Sequence, residues 1–152
     1  MKKTHLKLSI NLEVKLHTGQ TSLKLLFQRK DLCDWCLSLC LLKECLTETL
    51  IVSEDHGRKR LELQMVGTPG VNVRSQANLG PETTELRITP SDLDYLLHFF
   101  LKYYRDGVAE VDHLDLQVSS GTSGEPESYI TFVVPDAVLP VSEEEARKRL
   151  GL

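Results

Sequence analysis

The stretch from Asp31 to Leu46, DLCDWCLSLCLLKECL, decides the fold of this chain because it predicts the first of two helices. It is the longest apolar run in the sequence, and it contains all four cysteines and the only tryptophan. A leucine-rich run without Pro or Gly from residue 32 to 46 favours a helix and is too long for a buried strand. Asp31 can cap the first turn, since its carboxylate accepts free backbone N–H groups.

On a helical wheel this stretch has two apolar stripes, whereas a helix that lies on one sheet needs only one. The stripe expected to face the sheet consists of Leu32, Cys33, Cys36, Leu37 and Cys40. The second, here named the Trp35 stripe, consists of Trp35, Leu39, Leu42 and Leu46. A contiguous exposed apolar patch is rare on soluble monomers. The Trp35 stripe is therefore predicted to be an interface, covered by a second copy of the chain or by its own loop 67–81.

The rest of the chain predicts strands and one further helix. Alternation of apolar and polar residues is typical of strands, and it occurs at 5–16, 23–27, 60–65, 84–88 and 114–118. Residues 49–52, which are apolar and β-branched, and residues 129–134 are also predicted to be strands. Thr89 and Pro90 begin a second helix that ends at Gly107, and a short helix is expected over 143–150. The predicted fold class is α+β, with one antiparallel sheet and two helices on one of its faces.

A shift of the chain by 61 positions suggests an internal repeat. Asp31-Leu32 then falls on Asp92-Leu93, and Leu25-Leu26-Phe27 falls on Leu86-Arg87-Ile88. The prediction is one domain over 1–152, with possible duplicated β-α-β-β halves at 5–66 and 71–134 and a tail at 135–152. The alternative is that α+β proteins often repeat this order without duplication.

This element order resembles the duplicated strand-helix-strand-strand domains of the gyrase-inhibitor and SOUL type. The resemblance is one of topology over most of the chain and includes no sequence motif. It implies two helices on an antiparallel sheet, and it implies nothing about function.

Composition limits the compartment and the partners. The net charge of −4 argues against non-specific binding to nucleic acid, which needs a basic surface. No apolar run reaches the roughly 18 residues that predict a membrane-spanning helix. Four cysteines on one helix do not suit a disulfide framework, so reduced thiols and a cytoplasmic location are expected.

The cysteines have the spacing C-x2-C-x3-C-x4-C, at Cys33, Cys36, Cys40 and Cys45. A metal or redox site is one reading of this spacing. Structural zinc, however, is usually held by two separated ligand pairs from turns that wrap around the ion. We therefore expect the cysteines to pack in the core, with no metal and no cofactor.

A possible polar site is formed by Asp112, His113 and Asp115. His113 and Asp115 are two residues apart on a predicted strand and so share a face. A carboxylate beside an imidazole can orient it as a base or as a ligand. No nucleophile can be placed beside them from sequence, so a solvated strand face is the simpler expectation.

These features predict a non-enzymatic binding or assembly module. The expected function is that of a small cytoplasmic regulator or inhibitor acting through a protein–protein interface, including a homo-oligomer. The alternative is a domain that binds a small ligand in a groove between the two helices. An enzyme that uses His113 and Asp115 is the third possibility.

Overall fold

The computed structural model describes residues 2–17, 20–54, 57–66, 74–106, 113–119, 128–134, 144, 147–148 and 150–151. The α+β class is confirmed. In chain order the elements are β1 (Lys3–Leu8), β2 (Asn11–His17), β3 (Gln20–Leu26), α1 (Leu32–Lys43), β4 (Thr49–Glu54), β5 (Arg60–Met65), β6 (Gln76–Leu79), β7 (Thr83–Ile88), α2 (Pro90–Asp106), β8 (His113–Val118) and β9 (Ser128–Val133).

Two smaller predictions concern the tail and the membrane. Of the predicted C-terminal helix, Glu144, Arg147 and Lys148 are helical, and most of the tail lies beyond the part that the structure describes. Neither α1 nor α2 is long and apolar enough to cross a membrane.

The single antiparallel sheet was a wrong prediction, because the strands form two mixed sheets. One has five strands in the order β1-β4-β5-β7-β6, and the other has four in the order β2-β3-β9-β8. β1 and β4, β5 and β7, and β3 and β9 pair in parallel. The physical reason is that each helix carries the chain from one sheet to the other, whereas sequence alternation shows only which face of a strand is apolar.

The two halves of the chain exchange hairpins. The hairpin β2–β3 pairs with β9 from the second half, and the hairpin β6–β7 pairs with β5 from the first. One buried row crosses each sheet: Leu12, Leu25, Phe132 and Leu114 in the four-stranded sheet, and Ala77, Leu86, Leu63 and Leu50 in the five-stranded sheet. The halves therefore have equivalent strand pairing, while duplication of 5–66 and 71–134 stays a prediction.

An aspartate at the start of each helix binds a serine that lies just before a hairpin. Asp31 makes no capping bond in α1; instead its Oδ2 accepts the backbone N–H of Ser9 at 2.9 Å. Asp92 Oδ2 accepts the hydroxyl of Ser75 at 2.5 Å. The predicted cap of α2 is present, since the Asp92 N–H donates to Thr89 Oγ1 at 3.2 Å. Both helix starts are thus held to the segments that lead into β2 and β6.

Four aromatic rings join both helices to the four-stranded sheet in the core. The Phe27 ring, just after β3, lies 4.9 Å from Trp35 of α1, 5.0 Å from Phe100 of α2 and 6.2 Å from Phe132 of β9, measured between centroids. All four side chains are buried. This aromatic cluster fixes which face of α1 points inward.

The predicted orientation of α1 is corrected by this cluster. The side chains that α1 buries are Leu32, Trp35, Cys36, Ser38, Leu39 and Leu42. Leu37 and Cys33, which were expected in the core, are exposed, with Leu37 at 59%. Two stripes of similar hydrophobicity could not be ranked from sequence. The Trp35 stripe faces inward because it contains the large indole ring. Ser38 is tolerated in the core because its hydroxyl donates to the Asp34 carbonyl at 2.8 Å.

We expect Trp35→Ala to lower the free energy of unfolding by about 3–5 kcal/mol, because it opens a cavity in the aromatic cluster. Trp35→Phe should cost less, since the indole Nε1–H is buried and has no hydrogen-bond partner among the described residues. Leu37→Ala, the matched control on the opposite face, should change stability by at most about 0.5 kcal/mol. Urea denaturation followed by circular dichroism measures all three. A larger loss from Leu37→Ala than from Trp35→Ala would contradict this orientation of α1.

Candidate functional site

A cleft of about 870 Å³ lies along α2 and the first half of β8, and is here named the α2 cleft. The helix contributes aromatic, apolar and basic side chains, and the strand contributes His113, Leu114 and Asp115. A second cleft of about 520 Å³ shares Tyr95 and Asp115 with the first and continues past the start of α2 to Ser119. Together the two clefts follow β8 along its length.

The aromatic residues that line the α2 cleft are Tyr95, Phe99 and Tyr104, all outside the core stripe of the helix. That stripe consists of Leu93, Leu96, Leu97, Phe100 and Tyr103. Tyr95 and Phe99 are four residues apart and so project together from another side of α2. Tyr95 is 59% exposed, whereas Phe99 is partly buried, with its ring 5.1 Å from Phe100 and nearly perpendicular to it. Phe99 therefore connects the cleft to the rigid core.

The predicted polar site is partly brought together in the cleft wall. Alternation along β8 turns His113 and Asp115 outward and Leu114 inward. His113 Nε2 and Asp115 Oδ2 are 3.8 Å apart, too far for a hydrogen bond. Asp115 Oδ1 instead accepts the Thr131 hydroxyl at 2.6 Å. Asp112, the third predicted member, falls in the range 107–112, which is not among the described residues.

The basic side of the α2 cleft contains Lys102, Arg105 and His98. Arg105 donates from Nε and Nη2 to the two carboxylate oxygens of Asp106, at 2.7 and 3.0 Å. These bonds hold the pKa of Asp106 below its usual range and raise that of Arg105. Within the described ranges Lys102 has no ion-pair partner. Its side chain is exposed to solvent, and its charge helps to lower the pKa of Asp106.

Three of the four residues of the predicted interface are not at the surface. Trp35, Leu39 and Leu42 are buried in the core of the chain itself, and Leu46 alone is exposed, at 59%. The Trp35 ring is covered by Phe100 of α2, with centroids 5.7 Å apart. This part of the interface prediction is corrected: a homodimer stays a prediction, but it would need another surface.

The two helices pack directly against each other. Lys43 Nζ lies 2.7 Å from Asp94 Oδ1 where α1 ends and α2 begins, and this contact raises the pKa of Lys43. At the opposite end a hydrogen bond with the Cys33 thiol raises the pKa of Tyr104. The helices are therefore antiparallel neighbours. The described walls of the α2 cleft belong to α2 and β8, not to the interhelical groove expected for a small ligand.

All four cysteines are free thiols, which confirms the prediction that they form no disulfide. Cys36 is buried, and burial, together with the nearby Cys40 and Cys33, raises its pKa from 9.0 to about 12. Cys33 and Cys45 are exposed. No three His, Cys, Asp or Glu side chains within the described ranges are placed to hold one metal ion. The expectation that all four cysteines pack in the core is therefore wrong for Cys33 and for Cys45, which lies just after the end of α1.

The sequence matches no known protein family, and no curated protein is significantly similar to it. The candidate site therefore depends on geometry alone. Sequence reasoning identified His113 and Asp115 but missed Tyr95, Phe99 and Lys102. The available signal was the pair of aromatics at i and i+4 outside the core stripe of α2.

Alkylation of the folded protein with iodoacetamide at about pH 8 should modify Cys33 and Cys45 first and Cys36 last. With its pKa at about 12, Cys36 has almost no reactive thiolate at that pH. Cys36 should react at the rate of an ordinary thiol once urea unfolds the chain. Peptide mass mapping over time measures the order. Modification of Cys36 in the folded protein as fast as Cys33 would refute this assignment.

Proposed function

We propose that this protein is a non-enzymatic binding module that regulates a partner protein by holding a segment of it in the α2 cleft. The supporting observation is the exposure of large side chains along this helix: Tyr95 at 59%, Tyr104 at 53% and Leu101 at 40%. Tyrosine is enriched at protein interfaces and among the residues that contribute most to binding. Exposed tyrosine and leucine side chains beside a strand form a surface suited to a polypeptide.

The exposure of the cleft walls favours a polypeptide over a small ligand. Small-molecule sites generally bury about 70–90% of their ligand. Here the tyrosines at the wall remain more than half exposed, so a bound group would be covered mainly on one side. A polypeptide segment tolerates one-sided burial, because it gains contact area along its length.

Two further features support a regulator rather than an enzyme. The described residues that line the α2 cleft include no serine, threonine or cysteine, and His113 and Asp115 are 3.8 Å apart. Activated nucleophiles need a base within hydrogen-bonding reach. Free thiols on α1 agree with a cytosolic setting, which is part of this proposal.

The second candidate is a small-ligand-binding domain that uses the same cleft. It is favoured by the volume of about 870 Å³, within the usual size of ligand pockets. It is disfavoured by the exposed walls. Stabilisation of the fold by a small aromatic acid such as indole-3-acetate, absent from a Tyr95→Glu variant, would support this candidate instead.

A displayed library of random twelve-residue peptides tests the binding proposal. Peptides selected on the folded protein should bind Tyr95→Glu at least about 30-fold more weakly, because a tyrosine at a binding hot spot contributes about 2 kcal/mol or more. Fluorescence anisotropy with the selected peptides measures each Kd.

Leu37→Glu is the matched control, since Leu37 is also 59% exposed but lies on α1 and is not a lining residue of the cleft. It should leave the Kd unchanged. Circular dichroism establishes that both variants are folded. Equal binding by the Tyr95→Glu variant and the unmodified protein, or the recovery of no peptide, would refute the proposed function.

A further inference from the structure

The charges at the α2 cleft balance one another. Its described lining residues include two cations, Lys102 and Arg105, and one carboxylate, Asp115. Arg105 donates two hydrogen bonds to the carboxylate of Asp106, on which the charge of Lys102 also acts. Two cations are thus matched by two carboxylates, and the site has no net charge while its histidines are neutral. Because a charged group would lose hydration there without a net attraction, the cleft favours an uncharged group.

His98 presents an unused hydrogen-bond acceptor at the cleft. Its Nδ1 lies 3.0 Å from the Asp94 carbonyl oxygen. Because a carbonyl oxygen only accepts, Nδ1 carries the hydrogen, and in the neutral ring Nε2 is left with a lone pair. His98 is exposed and lines the cleft, and within the described part of the chain its Nε2 has no hydrogen-bond partner. A group bound beside His98 can therefore form a hydrogen bond with Nε2 only by donating it.

This acceptor lies next to the aromatic side chains of the cleft. Tyr95, His98 and Phe99 occupy positions i, i+3 and i+4 of α2, so both later side chains are neighbours of Tyr95 on the helix surface. Tyr95 is 59% exposed, and Phe99 is anchored by the contact of its ring with Phe100. An aromatic ring that packs on Tyr95 and Phe99 therefore lies beside the imidazole of His98.

Tryptophan is the side chain that matches both features. It combines a large apolar ring with a hydrogen-bonding group, the indole N–H, that only donates. A tyrosine hydroxyl both donates and accepts, and phenylalanine has no such group. Tryptophan is also among the residues most enriched at binding hot spots. The cleft volume of about 870 Å³ is large enough for an indole ring.

We infer that the segment held by the α2 cleft is anchored by a tryptophan and is uncharged where it enters the cleft. The ring of this tryptophan packs on Tyr95 and Phe99, and its indole N–H donates to His98 Nε2. This inference rests on the proposed function and gives its partner a chemistry. Burial of the ring contributes affinity, and the hydrogen bond selects tryptophan over other aromatic residues. The anchor alone binds weakly, because it makes only part of the contacts of the whole segment.

A folded second copy of the chain cannot supply this anchor. The chain has a single tryptophan, Trp35, and its side chain is fully buried. Its ring contacts Phe27 and Phe100 in the aromatic cluster, so withdrawing it would open a cavity in the core. The partner is therefore a different protein with an accessible tryptophan.

The peptide selection described above tests this inference independently of the proposed function. The inference requires that the peptides dependent on Tyr95 share a tryptophan. In the tightest of them, 1-methyltryptophan in place of tryptophan keeps the ring and removes its N–H. This change should raise the Kd at least about fivefold, because the hydrogen bond with His98 is lost. His98→Phe should raise the Kd of the tryptophan peptide by a similar factor.

The two changes combined separate the hydrogen bond from a steric effect of the methyl group. On the His98→Phe variant the two peptides should bind within about twofold of each other, because neither can make the bond. Raising the salt from about 50 mM to about 500 mM should change the Kd of the tryptophan peptide by no more than about threefold, because no ion pair is formed on binding.

His5→Phe is the matched control, because it makes the same substitution at an exposed position of β1, on the other sheet and outside the lining of the cleft. It should leave the Kd within about twofold of the unmodified protein, and circular dichroism establishes that both variants are folded. Peptides that depend on Tyr95 but contain no tryptophan would overturn the inference and leave the proposed function standing. So would equal binding of the methylated peptide, an equal loss from methylation on the His98→Phe variant, or a larger effect of salt. The absence of any peptide dependent on Tyr95 would overturn both.

Discussion

The contact of Phe27 with three other rings is the constraint on which the rest of the structure depends. Phe27 follows β3, Trp35 belongs to α1, Phe100 to α2 and Phe132 to β9, so one cluster ties both helices to the four-stranded sheet. The backbone N–H of Phe27 also donates to the Val133 carbonyl at 2.8 Å, which holds the end of β3 against β9. Because interiors are close-packed, the position of this ring limits where each helix can lie.

Helix α2 connects this core to the candidate site. One side of the helix places Phe100 in the aromatic cluster, and the neighbouring side presents Phe99 and Tyr95 to the cleft. The opposite wall is β8, whose inward Leu114 belongs to the same core. Both walls are thus regular elements anchored by buried residues. Binding to such walls costs little conformational entropy, which is the advantage of a preorganised site.

The sequence was sufficient to predict most helices and strands, but not how they are arranged in space. Local signals predicted the start of α2 and its buried face, because the cap at Thr89 and the amphipathic stripe after it depend only on residues close in sequence. The orientation of α1 was predicted wrongly for Cys33 and Leu37, whereas Leu32 and Cys36 are buried as expected. Local sequence does not show which apolar stripe of α1 meets Phe100, because Phe100 is distant in sequence. Parallel pairing of β3 with β9 is equally non-local. Part of the candidate site was predictable from sequence, because His113 and Asp115 share one face of a predicted strand. Tyr95 was not, because its place in the cleft wall depends on how α2 packs beside β8.

The exchange of hairpins between the halves has a consequence for synthesis. Ser22 of β3 pairs with Tyr129 of β9, so the four-stranded sheet cannot close until the chain has been made as far as β9. At ordinary translation rates β3 therefore waits on the order of 5 to 20 s for its neighbour. During that time the edge of β3 that β9 will cover offers unpaired N–H and C=O groups, which is a template for aggregation. A chain truncated before β9 keeps that edge permanently, so chaperone dependence and sensitivity to C-terminal deletion are built into this topology.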